Sequence, residues 1–353
     1  MSKFLNERIN SLTPYEPGEQ PKQRQYVKLN TNESPYPPSK LGLRLARAQA
    51  KISQLYPDPN CTELTMLLAK ELGVKENQVI LTNGSDEVLN FAFMAYCDQN
   101  NPAVYNDITY GFYKVYAKLN GVESKVIPLK DDFSIDVDAF IKEKGTIIIA
   151  NPNAPTGLLL SLSEIERILS SDPNRVVVID EAYIDFGGES AVKLINKYEN
   201  LLVTQTFSKS RSLAGSRLGF GVGNENLIAD LMRIKYSTNP YNVNRLTMAM
   251  GMGAVLDKAY FEKNCKSIIK NRENAKLELE KLGFFVTNSK ANFLFAKSDK
   301  IDGKNLYLKL KEKGILVRHF DSDRIREYIR ITVGSSKDMQ ELISATKSIL
   351  EEL

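Results

Sequence analysis

The chain has no tryptophan, a single histidine and only three cysteines in 353 residues. With His319 alone, a zinc site built on two or three histidines is excluded, and so is an acid/base pair of histidines. Cys61, Cys97 and Cys265 are far apart in sequence, so there is no CxxC metal or redox motif, and the odd count argues against a disulfide framework. Neither sign of charge dominates. The 47 basic and 43 acidic side chains leave a net charge of +4, too weak over this length for a nucleic-acid or anionic-membrane footprint. No stretch approaches the roughly 18 apolar residues that span a bilayer, and the opening MSKFLNERIN has no apolar signal core. The expectation is a reduced, cytoplasmic protein with no metal, nucleic-acid or membrane partner. Its chemistry must rest on Lys, Asp, Tyr, Arg or a borrowed cofactor.

What is present describes two domains of mixed α/β type. Residues 1–40 carry Pro14, Pro17, Pro21, Pro35, Pro37 and Pro38, which forbid a long helix and suggest an arm laid over a surface. From 41 to 240, apolar runs alternate with amphipathic stretches. The runs are VILT (79–82), AVY (103–105), KVIPL (125–129), TIIIA (146–150), VVVID (176–180) and LLVTQTF (201–207), and helical patterns lie at 85–97, 111–119, 161–171 and 189–197. Continuous rather than alternating apolar runs mark strands covered on both faces, hence a mainly parallel sheet in a large α/β domain. Residues 241–353 read as a smaller α+β domain. It has one or two long helices over 243–282 bending near Tyr260 and Phe261, then FLFA (293–296), a helix at 304–313, ILVR (315–318), YIRITVG (328–334) and a last helix from 338.

The candidate chemistry sits at the ends of those apolar runs. Lys209 follows LLVTQTF within TFSKSRSLAGSRLGF, among small residues that admit a bulky ligand. Asp180 ends VVVID, where a charge is costly unless paired, and Tyr183 follows it by three. In LTNGSDE, Gly84 permits a tight turn and Ser85 and Asp86 open a helix, whose free N–H groups form an anion site. Arg217 offers a bidentate donor to phosphate. Singly, each has a plain structural reading: a loop lysine, a buried ion pair, a packed tyrosine, a helix cap, a surface arginine. Together they ask for one ligand with an aldehyde for lysine, a ring nitrogen for aspartate and a phosphate, and pyridoxal 5′-phosphate has all three.

The ordered motifs NPNAPTG (151–157), DEAYIDF (180–186), TFSKSRSLAGSRLGF (206–220) and RITVGS (330–335) resemble the fold-type-I aminotransferases, and more closely their histidinol-phosphate branch, from LNTNESPYPPS (29–39) to the last helix. The resemblance implies the pyridoxal-phosphate transferase fold and a homodimer. It implies amino-group exchange between histidinol phosphate with 2-oxoglutarate and imidazole acetol phosphate with glutamate. A threonine-phosphate decarboxylase-like lyase and an aromatic aminotransferase are the alternatives. By the same resemblance Lys209 attaches to the cofactor aldehyde, Asp180 pairs with the ring nitrogen and Tyr183 bonds the ring's 3′ oxygen. Gly84, Ser85, Asp86, Ser208 and Arg217 surround the phosphate, Tyr110 stacks on the ring, and Tyr56 reaches the partner subunit's phosphate site. Arg330 grips the substrate anion beside Arg318 and Tyr15. The family's asparagine before PTG is Ala154 here, so the 3′ oxygen falls to Tyr183 alone or with Asn153. His319 reads as a pocket-rim residue, since Lys209 already provides a base.

Overall fold

The computed structural model describes residues 2–15, 17–21 and 25–353. Its centre is a seven-stranded sheet in which the strands lie in the order Val79–Thr82, Gly219–Gly223, Leu201–Thr206, Val177–Asp180, Thr146–Ala150, Ala103–Asn106, Ser124–Ile127. The last five pair in parallel, while Gly219–Gly223 runs antiparallel to both its neighbours. Val177–Asp180 and Leu201–Thr206 are buried along their whole length, as strands roofed by helices on both faces must be.

Two apolar layers sandwich this sheet. One holds Leu64, Ile165 and Phe140 with the alternate strand residues Ile147, Ile149, Val177, Ile179 and Val203. The other holds Val88, Phe93, Tyr113 and Tyr116 against Ile148, Val178 and Leu202. Successive strand residues therefore face opposite layers, as the two-residue period demands.

A smaller four-stranded antiparallel sheet joins Arg318–His319, Tyr328–Thr332, Phe293–Ser298 and Phe284–Val286. Helices Lys258–Lys281, Gly303–Glu312 and Ser336–Glu351 contribute Ile268, Leu306, Leu310 and Leu342 to its core. The arm is tied to this body: Val27 and Lys28 pair in parallel with Ile315 and Leu316.

Two details differ from the sequence reading. A boundary at 240 is not where the packing changes. Val243, Ala254 and Val255 belong to the large core, and helix Arg245–Leu256 lies along Lys40–Ala50 so closely that a Cβ on Gly253 would stand 2.2 Å from the Gly42 Cα. The long helical stretch is two helices that part at Asp257, between Leu256 and Lys258, near Tyr260 and Phe261 as expected. The strand Gly219–Gly223 was not apparent, because glycines depress strand propensity. Its first glycine is there for contact: a Cβ on Gly219 would lie 2.2 Å from the Ser85 backbone N and 2.4 Å from the Gly84 carbonyl carbon.

Candidate active site

Strand ends, one helix start and the arm converge at the carboxyl edge of the parallel strands, where open α/β sheets bind ligands. Helix Ser85–Tyr96 begins immediately after Gly84, whose φ of +81° suits glycine. Gly84 has a second reason to lack a side chain, since a Cβ there would sit 2.7 Å from Arg217 Nη2. Arg217 itself occupies the left-handed region, φ +53°. From there it donates from Nη2 to Asp86 Oδ2 at 2.9 Å and from Nη1 to Ser208 Oγ at 3.5 Å. Tyr110 donates to the other oxygen of Asp86 at 2.8 Å. Gly84, Ser85, Asp86, Ser208 and Arg217 are thus one group, with Tyr110 fastened to it. A helix N-terminus, a hydroxyl and a half-exposed guanidinium (46%) make a cradle suited to a phosphate.

Lys209 and Asp180, the candidate amine and acid, lie near this cradle, and the charge of Asp86 acts on both. Lys209 is half-buried, with its Nζ 5.9 Å from the Tyr183 ring centroid and 3.4 Å from the Thr31 carbonyl oxygen. Burial and then the nearby Arg330 charge pull its amine pKa down to about 8. Asp180 is 4% exposed. Its carboxylate accepts from Tyr113 Oη at 2.8 Å and from the Ala182 N–H at 3.3 Å, and burial pushes its pKa up to about 6. Tyr183 Oη accepts from Asn32 Nδ2 at 3.0 Å, so its own proton remains to be given to another oxygen. Burial raises the Tyr183 phenol pKa, keeping it a donor.

Asn153 is buried and spends its amide hydrogens on the Ile108 carbonyl and Thr156 Oγ1, both at 3.0 Å, while its Oδ1 has no partner. As oriented, it offers an acceptor and no free donor. Ala154 packs against Phe293 beside Tyr183.

The substrate side is arginine-rich. Arg318 and Arg330 face each other across neighbouring antiparallel strands, a like-charge pairing that is destabilising by itself. Arg330 Nη2 donates to the Asn30 carbonyl at 3.0 Å, yet its buried Nε has no partner among the described residues. Both guanidinium carbons lie within 6 Å of the Phe320 ring centroid, at 5.8 Å for Arg318 and 5.6 Å for Arg330. Two guanidinia held together, one with an unused donor, suit an anion that bridges them. Tyr15 from the arm stacks on Phe112 at 4.4 Å and lies 6.3 Å from Tyr110, which makes it a wall of the same crevice.

Tyr56 lies elsewhere. It is 79% exposed, stacks on Tyr241 at 4.6 Å, and its carbonyl accepts from Arg245 Nη2 at 2.5 Å. His319 is half-buried; its Nε2 meets the Arg326 carbonyl and its ring lies over Tyr307, a structural setting.

Two residues at the site were not singled out from the sequence. Asn32 lay within LNTNESPYPPS, but no local signal ties an arm asparagine to Tyr183, 151 residues away. Tyr113 lies in the first turn of helix Phe112–Asn120, and Tyr110 precedes that helix, so no helical period links the two. That Tyr113 meets Asp180 is a tertiary fact.

The donor set fits a phosphorylated pyridine aldehyde: an amine, a buried acid, a phenol donor and an anion cradle around one crevice. The profile of the family "Aminotransferase class I and II" matches residues 24–345, and the chain belongs to that family. Within it, the chain is 49% identical to the histidinol-phosphate aminotransferase of Brachyspira hyodysenteriae, over 99% of this chain and 100% of the relative. It is 48% identical to that of Clostridium acetobutylicum, again over 99% and 100%. The fold matches the crystal structure of histidinol-phosphate aminotransferase from Sinorhizobium meliloti in complex with pyridoxal-5′-phosphate, with a TM-score of 0.90 and 22% identity over 100% of this chain and 99% of that one.

Proposed function

We propose that this chain is a pyridoxal-phosphate-dependent aminotransferase that exchanges an amino group between histidinol phosphate and 2-oxoglutarate, giving imidazole acetol phosphate and glutamate. The observation that carries the reading is the Lys209–Asp180–Arg217 arrangement, with an amine, an acid and an anion cradle around one crevice. Bound there, pyridoxal 5′-phosphate supplies an aldehyde for amine exchange and a protonated ring that accepts electrons from the substrate's Cα.

The residues of the chain do the rest. Ser85, Ser208 and Arg217 hold the phosphate, and Asp86 orients Arg217 and Tyr110. Asp180 accepts the ring N–H. Tyr183 donates its hydroxyl proton to the 3′ oxygen. Tyr110 and Tyr15 cover the crevice and exclude water. With its pKa near 8, Lys209 is a competent base near neutrality, able to take the proton from the substrate's Cα and deliver it to the neighbouring carbon. Arg330, beside Arg318, takes the phosphate of one substrate and a carboxylate of the other, since a planar guanidinium suits both anions.

The dimer is part of the same proposal. Tyr56, with the exposed Leu55, Tyr236, Tyr241 and Leu246, would meet a second copy, and Tyr56 would contribute there to the partner's phosphate site.

A substrate panel read by the absorbance of bound cofactor tests the function. Histidinol phosphate and glutamate should each convert the cofactor to its amine form, and phenylalanine should do so poorly. Carbon dioxide release from threonine phosphate without any response to glutamate would replace this reading with a lyase.

A further inference from the structure

Asp180 is not held by its own strand alone. Tyr113, on helix Phe112–Asn120, is 0% exposed, and its hydroxyl donates to Asp180 Oδ2 at 2.8 Å. Its ring meets Tyr110 edge-on, with centroids 5.7 Å apart and planes at 86°, and Tyr105 from the other side at 5.8 Å. A buried phenol with one partner, and that partner the acid of the site, is an expensive arrangement for packing alone, because phenylalanine would fill the same space without a polar atom to satisfy.

We propose that Tyr113 is a positioning residue: its O–H holds the Asp180 carboxylate ionised and fixed through Oδ2, while its ring braces Tyr110. Oδ1 keeps only the long contact from the Ala182 N–H, so the capacity to accept one more strong donor lies on that oxygen. This rests on the pyridoxal-phosphate reading, in which the donor is the ring N–H.

The electrostatics agree. Burial raises the Asp180 pKa and the Tyr113 hydrogen bond opposes it, while Asp86 raises it further and Lys209 lowers it. Tyr105 and Tyr110 are titratable groups packed on the Tyr113 ring, Tyr183 acts on it through its charge, and Tyr116, on the same helix, interacts electrostatically with Asp180. Burial and Asp180 hold the Tyr113 phenol far above its ordinary pKa, so it stays a donor. Removing the hydroxyl leaves Asp180 one charge-assisted hydrogen bond short, which is worth roughly one pKa unit or more.

The test is binding of pyridoxal phosphate to cofactor-free protein across an acid pH series, for wild type, Tyr113→Phe, Tyr113→His and Tyr105→Phe. Tyr105 is the control, since it is a buried neighbour whose hydroxyl bonds Ser124 instead. The acid limb of affinity should move up by about one pH unit in Tyr113→Phe, weakening binding about tenfold below it. Tyr113→His, which keeps a donor, should recover much of the loss, and Tyr105→Phe should follow wild type. Isotope-edited infrared spectra should show Asp180 protonated at higher pH in Tyr113→Phe. A Tyr113→Phe limb that coincides with wild type, or equal shifts in Tyr113→Phe and Tyr105→Phe, overturns the proposal; if Tyr113→Phe does not fold, Tyr113→Met takes its place, and its limb should lie well above that of Tyr113→His, whereas equal limbs for the two overturn the proposal. Failure of wild type to bind the cofactor at any pH would instead sink the functional reading.

Discussion

In its proposed role Lys209 has to be a neutral amine to react, and its surroundings favour this. A solvated lysine titrates near 10.4, whereas burial and Arg330 bring this one to about 8. Capture of pyridoxal phosphate by the cofactor-free protein, trapped by borohydride, should therefore rise through about pH 8 rather than two units higher, and should vanish in Lys209→Ala. The linked stability has a definite sign. Between about pH 8 and the unfolded value, the unfolded chain holds a proton that the folded one has released, so this group makes stability increase with pH across that window. Below about pH 8 both states are protonated and the folded state carries the full penalty of a buried charge. Denaturant titrations of Lys209→Met against wild type should show the variant's stability advantage greatest below that pH and shrinking above it.

Two close backbone approaches decide whether the elements can meet. Gly219 passes beneath the turn that opens helix Ser85–Tyr96, and a Cβ would press on backbone atoms of Gly84 and Ser85 that have no rotamer by which to escape. Gly219→Ala should displace the phosphate-binding turn, lowering stability by about 1–3 kcal/mol and cofactor affinity by an order of magnitude or more, measured by thermal melts and binding titration. Gly253 faces Gly42 where helices Arg245–Leu256 and Lys40–Ala50 touch. Alanine favours a helix by about 1 kcal/mol over glycine, so a free helix would gain from Gly253→Ala. Here the methyl must push the two helices apart, and the net change should be destabilising by about 1–2 kcal/mol in urea unfolding. A stabilised variant would mean that the two helices yield more easily than their spacing implies.

For the whole molecule, the proposal to test is that a second copy meets the surface around Tyr56. Tyr56 is stacked on Tyr241 and its carbonyl is held by Arg245, so the loop that carries it is already ordered within one chain. A mixed dimer of Tyr56→Phe with Lys209→Ala subunits tests its destination. The only intact lysine lies in the Tyr56→Phe subunit, and the Tyr56 hydroxyl facing it comes from the Lys209→Ala subunit. Near half of wild-type activity is expected. Activity near half that of the Tyr56→Phe homodimer would return Tyr56 to its own site, and a monomer in sedimentation would remove the shared site altogether.

The sequence by itself determined the parallel sheet, because strands buried on both faces must be apolar throughout and 79–82, 146–150, 176–180 and 201–207 are nearly so. It also narrowed the chemistry, since a chain with one histidine and no CxxC pair leaves Lys, Asp, Tyr, Arg or a cofactor to carry it, and Lys209 and Asp180 stand where two of those strands stop. Local periodicity carries no information about partners distant in the chain. Only the tertiary structure decided that Asn32 meets Tyr183, that Tyr113 meets Asp180, that the glycine-rich stretch 219–223 is a strand, and that residues 243–256 pack with the large body. In the first two cases a side-chain hydrogen bond between distant segments selects the residue, at Gly219 and Gly253 a close backbone approach does, and nothing in either segment read alone records the meeting.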